Sequence, residues 1–396
     1  MSGIARAGSY RRLLTDPAAA RTFVIGLVGR LGYAVFPLIF LFTVRDSTKD
    51  FATAAAAMSL FGLAVLAAPI QMAVAVRHGQ RHVLPVVAVV FVAALGACVA
   101  LAANERHAGA WFVVSVVLGL SAPALGPCMR AQWRVFAVTD AERSAAYSLD
   151  AVCEETLYLV GPIVAAGMLA RGPAWHGLVL VAVLIAVGAA GLTMSPAAKV
   201  RVGDARLRTS GEAPRPLQVR RLLLLTVGFG AAMSLMYTGI AARADAAGQP
   251  AQAGYVEAAV VAASVAGGLA WGNRGHRHSW PAHLAAMLIV LACATTVAAM
   301  TVDWLALTGA LLAAGAVLSP IFAVAYGASD VESIPRLRTQ TSTWVTTSTN
   351  VGSSAGTAIA ALAVQKWGPG APLWLSGAVA LVTAAVAILF ACRGRS

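Results

Sequence analysis

The chain has 396 residues, of which 59% are hydrophobic and only 11% are charged. Soluble domains carry about 25% charged residues, so this composition excludes an ordinary soluble domain. The net charge of +13 is compatible with a nucleic-acid partner. However, the basic residues cluster between apolar segments, and the orientation of a membrane protein explains that distribution better.

Apolar segments long enough to cross a bilayer as helices recur along the whole chain. We predict twelve spans, at approximately residues 22–44, 51–76, 83–103, 109–129, 144–170, 174–195, 221–242, 251–272, 280–301, 303–327, 340–365 and 371–391. The connections are short, except for a segment rich in Arg, Pro and Gly near the middle of the chain. The sequence therefore predicts an all-α integral membrane protein. It has an N-terminal six-helix half at 1–195, a linker at 196–220 and a C-terminal six-helix half at 221–396.

Basic residues are distributed unequally between the two sides of these spans. The segments on the side of the N-terminus carry 22 Lys or Arg residues, whereas the opposite loops carry six. Loops rich in Lys and Arg remain in the cytoplasm. We therefore predict a multi-pass protein of the cell membrane, with both termini and the linker in the cytoplasm.

The two halves repeat weakly. Residues 79–82, after the second span, read Gly-Gln-Arg-His, and residues 275–278, after the eighth, read Gly-His-Arg-His. Gly161 in the fifth span corresponds in the same way to Gly356 in the eleventh. Related halves are typical of transporters with a central binding site.

The fifth span carries three carboxylates, Asp150, Glu154 and Glu155. Asp150 and Glu154 are four residues apart and share one helix face. An ionised acid at the bilayer centre costs about 2.5–3.5 kcal/mol, so these acids need partners, water or protons. Arg30, inside the first span, is the charged residue at a similar depth. Either the acids only brace a neighbouring helix through an Arg, or at least one of them titrates or binds a ligand.

Together, the twelve spans, cytoplasmic termini, long middle loop and paired halves resemble the major facilitator superfamily. In that family the loop after the second span belongs to a charge network that holds the cytoplasmic gate shut. The chain retains Arg77, Gly79 and Arg81 of this loop, but has Met72 and Val76 where the family has Gly and Asp.

A second motif supports the same resemblance. Gly161-Pro162 in the fifth span is similar to a Gly-Pro element of the family's exporters. The resemblance also implies that the first and fifth spans are neighbours. Arg30 is therefore expected to meet Asp150 or Glu154.

Further residues are candidates for the site, the gate and the packing of the helices. The candidate cavity-lining residues, which have packing or a solvated helix end as their alternative roles, are Tyr33, Tyr158, Tyr237, Tyr255, Glu257 and Asn350. The candidate residues of the cytoplasmic gate are Arg77, Gly79, Arg81, Arg134 and Arg143. Arg130 is expected to flank the same loop. The candidate hinge or packing residues are Gly161, Pro162, Gly352 and Gly356.

These features predict a secondary transporter that moves small organic molecules by alternating access, as a proton-coupled antiporter for efflux of a drug-like compound or metabolite. The chain lacks a phosphate-binding loop of the Gly-x-x-x-x-Gly-Lys-Ser/Thr type, which excludes direct use of ATP through that motif. We expect no cofactor, no metal and no enzymatic activity. The expected partners are the substrate, protons and the lipid bilayer, with the protein acting as a monomer. A proton-coupled importer, a sugar exporter, a membrane-embedded enzyme and a non-transporting receptor are the alternatives.

Overall fold

The computed structural model describes residues 15–103, 108–137, 139–199, 217–272, 279–332 and 338–393. Within these residues the regular structure is helical, which confirms the predicted all-α class. The α-helices are α1 (Pro17–Thr48), α2 (Phe51–Val65), α3 (Ala68–His78), α4 (Gln80–Ala103), α5 (Ala108–Ser121), α6 (Leu125–Phe136), α7 (Asp140–Arg171), α8 (Trp175–Met194), α9 (Leu217–Ala246), α10 (Pro250–Gly272), α11 (Trp280–Met300), α12 (Trp304–Glu332), α13 (Arg338–Trp367) and α14 (Ala371–Arg393).

Ten helical segments in the described part are long and apolar enough to cross a membrane. They correspond to ten of the twelve predicted spans. The predicted span 51–76 is divided between the short helices α2 and α3. The predicted span 340–365 lies within α13, whose many Ser and Thr residues reduce its hydropathy. The exact count of twelve therefore stays a prediction.

Two predicted spans are interrupted, one between α2 and α3 and the other between α5 and α6. In the second case the chain leaves the helix at Ala122, Pro123 and Ala124. Proline lacks a backbone N–H and disfavours helical geometry at the residue before it. The break therefore separates the two halves of the fourth predicted span.

The first of two compact units comprises residues 1–47 and 67–208, and so contains α1 and α3–α8. Its core is rich in aromatic side chains. The rings of Phe36 and Phe40 stack with centroids 5.1 Å apart, and Trp133 packs against Phe23 at 5.2 Å. Because three of these residues belong to α1, this helix contributes strongly to the core of the unit.

The second unit comprises residues 48–66 and 209–396, and so contains α2 and α9–α14. Helix α2, which the predicted halves place in the N-terminal half, packs here against α13. The hydroxyl of Ser59 donates to the carbonyl of Ser354 at 2.7 Å. Helix α13 also packs against α9, where the hydroxyls of Thr226 and Ser348 lie 2.6 Å apart.

Glycines at corresponding positions allow one close helix crossing in each unit. A Cβ atom added to Gly161 of α7 would lie 2.5 Å from the Cβ of Ala34 in α1. One added to Gly356 of α13 would lie 2.5 Å from the carbonyl oxygen of Ala231 in α9. These contacts agree with the predicted correspondence of the two glycines. The other predicted match, at Gly275, falls in residues 273–278, outside the described residues.

Candidate functional site

Helix α7 carries the acids of the candidate site, and its beginning is fixed by a local motif. The backbone N–H of Glu142 donates to the side chain of Thr139 at 3.2 Å, and the carboxylate of Glu142 accepts from the N–H of Thr139 at 3.1 Å. This capping box satisfies two backbone donors at the helix start. The crossing at Gly161 then holds α7 against α1, so that the acids of α7 lie beside Arg30.

Arg30 forms ion pairs with both Asp150 and Glu154, whereas contact with one or the other was expected. Its Nη1 atom donates to Oδ1 of Asp150 at 2.5 Å, and its Nη2 atom lies 2.6 Å from Oε2 of Glu154. Arg30 is 6% exposed and Asp150 is 2% exposed, whereas Glu154 is 35% exposed. The pair formed by Arg30 and Asp150 is therefore buried, and Glu154 lies at its accessible edge.

Arg130 is a fourth member of the site, in addition to the three residues expected from the sequence. It was expected to flank a loop, but α6 continues to Phe136 and places Arg130 inside the helix. Its Nη1 atom lies 3.4 Å from Oδ2 of Asp150 and 3.6 Å from Oε2 of Glu154. These contacts are longer than those of Arg30, and Arg130 is 44% exposed. The signal was present in the apolar spacing of Leu125, Met129 and Trp133, which continues the helix past the predicted end.

These four side chains, Arg30, Arg130, Asp150 and Glu154, form what we call the four-charge network. Two guanidinium groups and two carboxylates give it a formal charge of zero. Both oxygens of Asp150 contact an arginine, whereas the contacts of Glu154 all involve Oε2. Within the described residues no hydrogen bond or ion pair involves Oε1 of Glu154. That oxygen is therefore the open position of the network.

The break between α5 and α6 lies in the same unit, and side chains from other helices satisfy carbonyl groups there. The hydroxyl of Tyr33 donates to the carbonyl of Pro123 at 2.8 Å. The side-chain amide of Gln71 donates to the carbonyl of Leu120. Irregular backbone at membrane depth needs such partners. Tyr33, a candidate cavity residue, thus contributes to the support of this break.

The other candidate cavity residues lie outside the four-charge network. Tyr158 and Tyr255 are about half exposed, at 51% and 48%, and Asn350 is also exposed. Tyr237 and Glu257 are partly buried. Glu155 follows Glu154 in α7, but its side chain lies outside the described part of the structure.

The candidate gate residues lie at or near helix ends. Arg77, Arg81 and Arg134 are exposed. Gly79 ends α3 with a φ of 88°, a backbone conformation that favours glycine. Arg143 lies in the first turns of α7, and its side chain is not among the described ones. Their gating role stays a prediction.

The candidate hinge or packing residues all lie within helices α7 and α13. Gly161, Pro162, Gly352 and Gly356 are buried. A Cβ atom added to Gly352 would overlap the carbonyl group of Val227 in α9.

No group of three or more His, Cys, Asp or Glu residues that could hold a metal ion occurs among the described residues.

This architecture is the fold of the major facilitator superfamily transporters. No protein-family model matches the chain, and no curated protein matches it in sequence. Solved structures do match. The nucleoside transporter NupG is similar with a TM-score of 0.72 at 12% identity, over 95% of this chain and 98% of that one.

Two further solved structures agree. The POT family transporter PepTSo matches with a TM-score of 0.71 at 11% identity, over 97% of this chain and 98% of that one. The human organic anion transporter MFSD10 (TETRAN) matches with a TM-score of 0.60 at 14% identity, over 95% and 99%. At these identities the likeness establishes the fold. All three proteins are transporters.

Proposed function

We propose that the chain is a secondary transporter that exports a small organic compound in exchange for protons, and that the four-charge network is its proton-coupling site. The observation that carries the proposal is a buried Arg–Asp pair with an accessible Glu at its edge. An intramembrane ionisable group is a functional-site hypothesis by default, and here four of them meet. Glu155, the next residue of α7, is proposed as a further member.

Accessibility favours Glu154 as the group that exchanges protons and Asp150 as the anchor. Asp150 is 2% exposed, and both of its oxygens contact arginine. Glu154 is 35% exposed, and its Oε1 atom is open to accept a proton. Protonation there takes the network from a formal charge of zero to +1.

This charge change supplies a physical basis for coupling. A network charged +1 repels a cationic substrate and holds Arg130 less tightly, because Glu154 no longer attracts its guanidinium group. Proton uptake from outside therefore favours release of a cationic or polar amphipathic compound. Proton loss to the cytoplasm restores the neutral network and resets the site.

The remaining features of the proposal have separate supports. The buried Gly161-Pro162 element, which resembles that of exporters, supports export rather than import. The bias of basic residues supports cytoplasmic termini, and a plasma-membrane location is part of the same proposal. All members of the network come from one chain, which supports a monomer as the working unit.

The test begins with a thermal-shift screen of the purified protein against cationic and neutral drug-like compounds and metabolites. The purified protein is then reconstituted into liposomes together with a compound that stabilises it. A pH gradient is imposed across the liposome membrane. One pH unit, about 1.4 kcal/mol, can sustain about a tenfold substrate gradient for each coupled proton. The parent protein is expected to build such a gradient.

Glu154→Gln is expected to abolish accumulation while leaving downhill exchange of the same compound partly intact. The matched control is Asp46→Asn, which neutralises an acid of α1 that is 49% exposed and is expected to leave accumulation unchanged. If Asp150→Asn and Glu154→Gln, singly and together, accumulate substrate as well as the parent does, the network is structural and the proposed coupling is wrong.

A further inference from the structure

Glu257 is a partly buried acid of the second unit, outside the four-charge network. It lies seven residues after Pro250, the first residue of α10, or about 10 Å along the helix. Ala253 and Ser264 share its helix face and are buried. The hydroxyl oxygen of Ser264 accepts from the backbone N–H of Ser319 in α12 at 3.1 Å. Glu257 therefore lies, partly buried, on the face of α10 that packs against α12.

The described surroundings provide this carboxyl group with no basic partner. Within the described residues Glu257 has neither a hydrogen bond nor an ion pair. The helices packed against α10 are α9 and α12. Four ionisable residues lie toward the end of the unit that contains Glu257. They are Tyr237, Arg243 and Asp245 of α9 and Asp303, which immediately precedes α12. The others lie toward the opposite ends of the same helices: Arg220, Arg221, Tyr326, Asp330 and Glu332.

The nearby charged residues are committed elsewhere or have the same sign as a carboxylate. Arg243 is the single basic residue of the nearer set. It donates from Nη1 and Nη2 to the carbonyl groups of Ala298 and Ala299, at 3.2 and 2.6 Å, and so caps the end of α11. Asp303 accepts from the N–H of Ala306. On α10 itself the additional ionisable residue is Tyr255, which is exposed.

We propose that Glu257 is a second proton-binding site of the chain, located in the second unit and independent of the four-charge network. An ionised carboxylate inside a membrane segment needs a cation or water, whereas the protonated carboxyl group leaves no charge between α10 and α12. The ligand is the proton itself. The inference does not depend on the proposed function, because Glu257 can bind a proton whether or not the chain is an exporter.

The test uses dicyclohexylcarbodiimide, an apolar reagent that adds to protonated carboxyl groups. The purified full-length protein is treated in detergent, and its peptides are analysed by mass spectrometry. Asp50 is the matched control in the same unit, since its carboxylate accepts from the N–H groups of Ala52 and Thr53. At about pH 6, Glu257 is expected to be modified about tenfold more than Asp50, and raising the pH to about 9 is expected to reduce that modification.

Glu257→Gln provides the second measurement, because glutamine has the shape of the neutral acid and is expected to fold. The infrared spectrum of the parent at about pH 6 is expected to contain a protonated-carboxyl band that this variant lacks. That readout does not require the reagent to reach the side chain. If Glu257 reacts no more than Asp50 and the two infrared spectra agree in this band, Glu257 is ionised and the proposal is overturned.

Discussion

Arg30→Ala is the perturbation that tests the four-charge network most directly. It removes the closest partner of Asp150. The two side chains form an ion pair at 2.5 Å, and Asp150 is 2% exposed. The carboxylate then keeps Arg130, at 3.4 Å, as its remaining partner among the described residues. Arg130→Ala is the matched control, because it removes the same side chain type from the same two acids at longer distances.

The expected magnitudes differ between the two variants. Removing one partner of a buried ion pair lowers the free energy of unfolding by about 3–5 kcal/mol. For Arg30→Ala we expect a value near the lower end of that range, because Arg130 remains 3.4 Å from Asp150. Arg130 is 44% exposed, and a pair of this kind contributes about 0–1 kcal/mol. For a unit of this size, 1 kcal/mol shifts Tm by about 2–4 °C. Arg30→Ala is therefore expected to lower Tm by about 6–12 °C, and Arg130→Ala by at most about 4 °C.

The assay is thermal unfolding in detergent, followed by tryptophan fluorescence at one fixed scan rate, because membrane proteins often unfold irreversibly and Tm then depends on the rate. The double variant Arg30→Ala with Asp150→Asn removes the stranded charge and is expected to recover most of the loss. Equal Tm values for Arg30→Ala and Arg130→Ala, with no recovery in the double variant, would refute the reasoning.

Three further predictions test the topology, the packing of two helices and a helix cap. In a cysteine-free background, a cysteine placed at Ser210 should resist labelling from outside intact cells and one at Arg106 should be labelled; the reverse pattern overturns the orientation. Gly161→Ala should destabilise the protein by about 3 kcal/mol through overpacking. Gly96→Ala, where an added Cβ meets nothing within 4 Å, should instead stabilise it by about 0.5–1 kcal/mol, and both are measured by thermal unfolding. Asp50→Ala should cost about 1 kcal/mol by removing the N-cap of α2, and an unchanged Tm would contradict that role.

The central contact of the site could be predicted because intramembrane charges are few. Arg30 and Asp150 lie at similar depths in spans that the resemblance makes neighbours, so the pairing followed from the need to compensate buried charge. Arg130 could not be placed in the same way. Its contribution depends on how far α6 continues beyond Met129, and helix ends are the least certain part of a sequence-based prediction.

The helix breaks show a different limit. Pro123 interrupts a predicted span, yet Pro162 lies inside the continuous helix α7, so proline alone does not determine a break. The difference lies in tertiary partners. Tyr33 and Gln71 donate to carbonyl groups of the interrupted segment, and these contacts come from residues distant in the sequence.

The polarity of α13 has a consequence for how the protein enters the membrane during synthesis. Its hydroxyl groups pair with those of α9, Thr226 with Ser348 at 2.6 Å and Ser234 with Thr357 at 2.5 Å. An isolated segment of this polarity partitions weakly into lipid, whereas α9 is apolar enough to span the bilayer unaided and is synthesised earlier. We therefore expect α13 to enter the membrane with α9 as a partner already in place. Substitutions in α9 that remove these hydroxyl groups should then delay the insertion of a helix about 120 residues further along the chain.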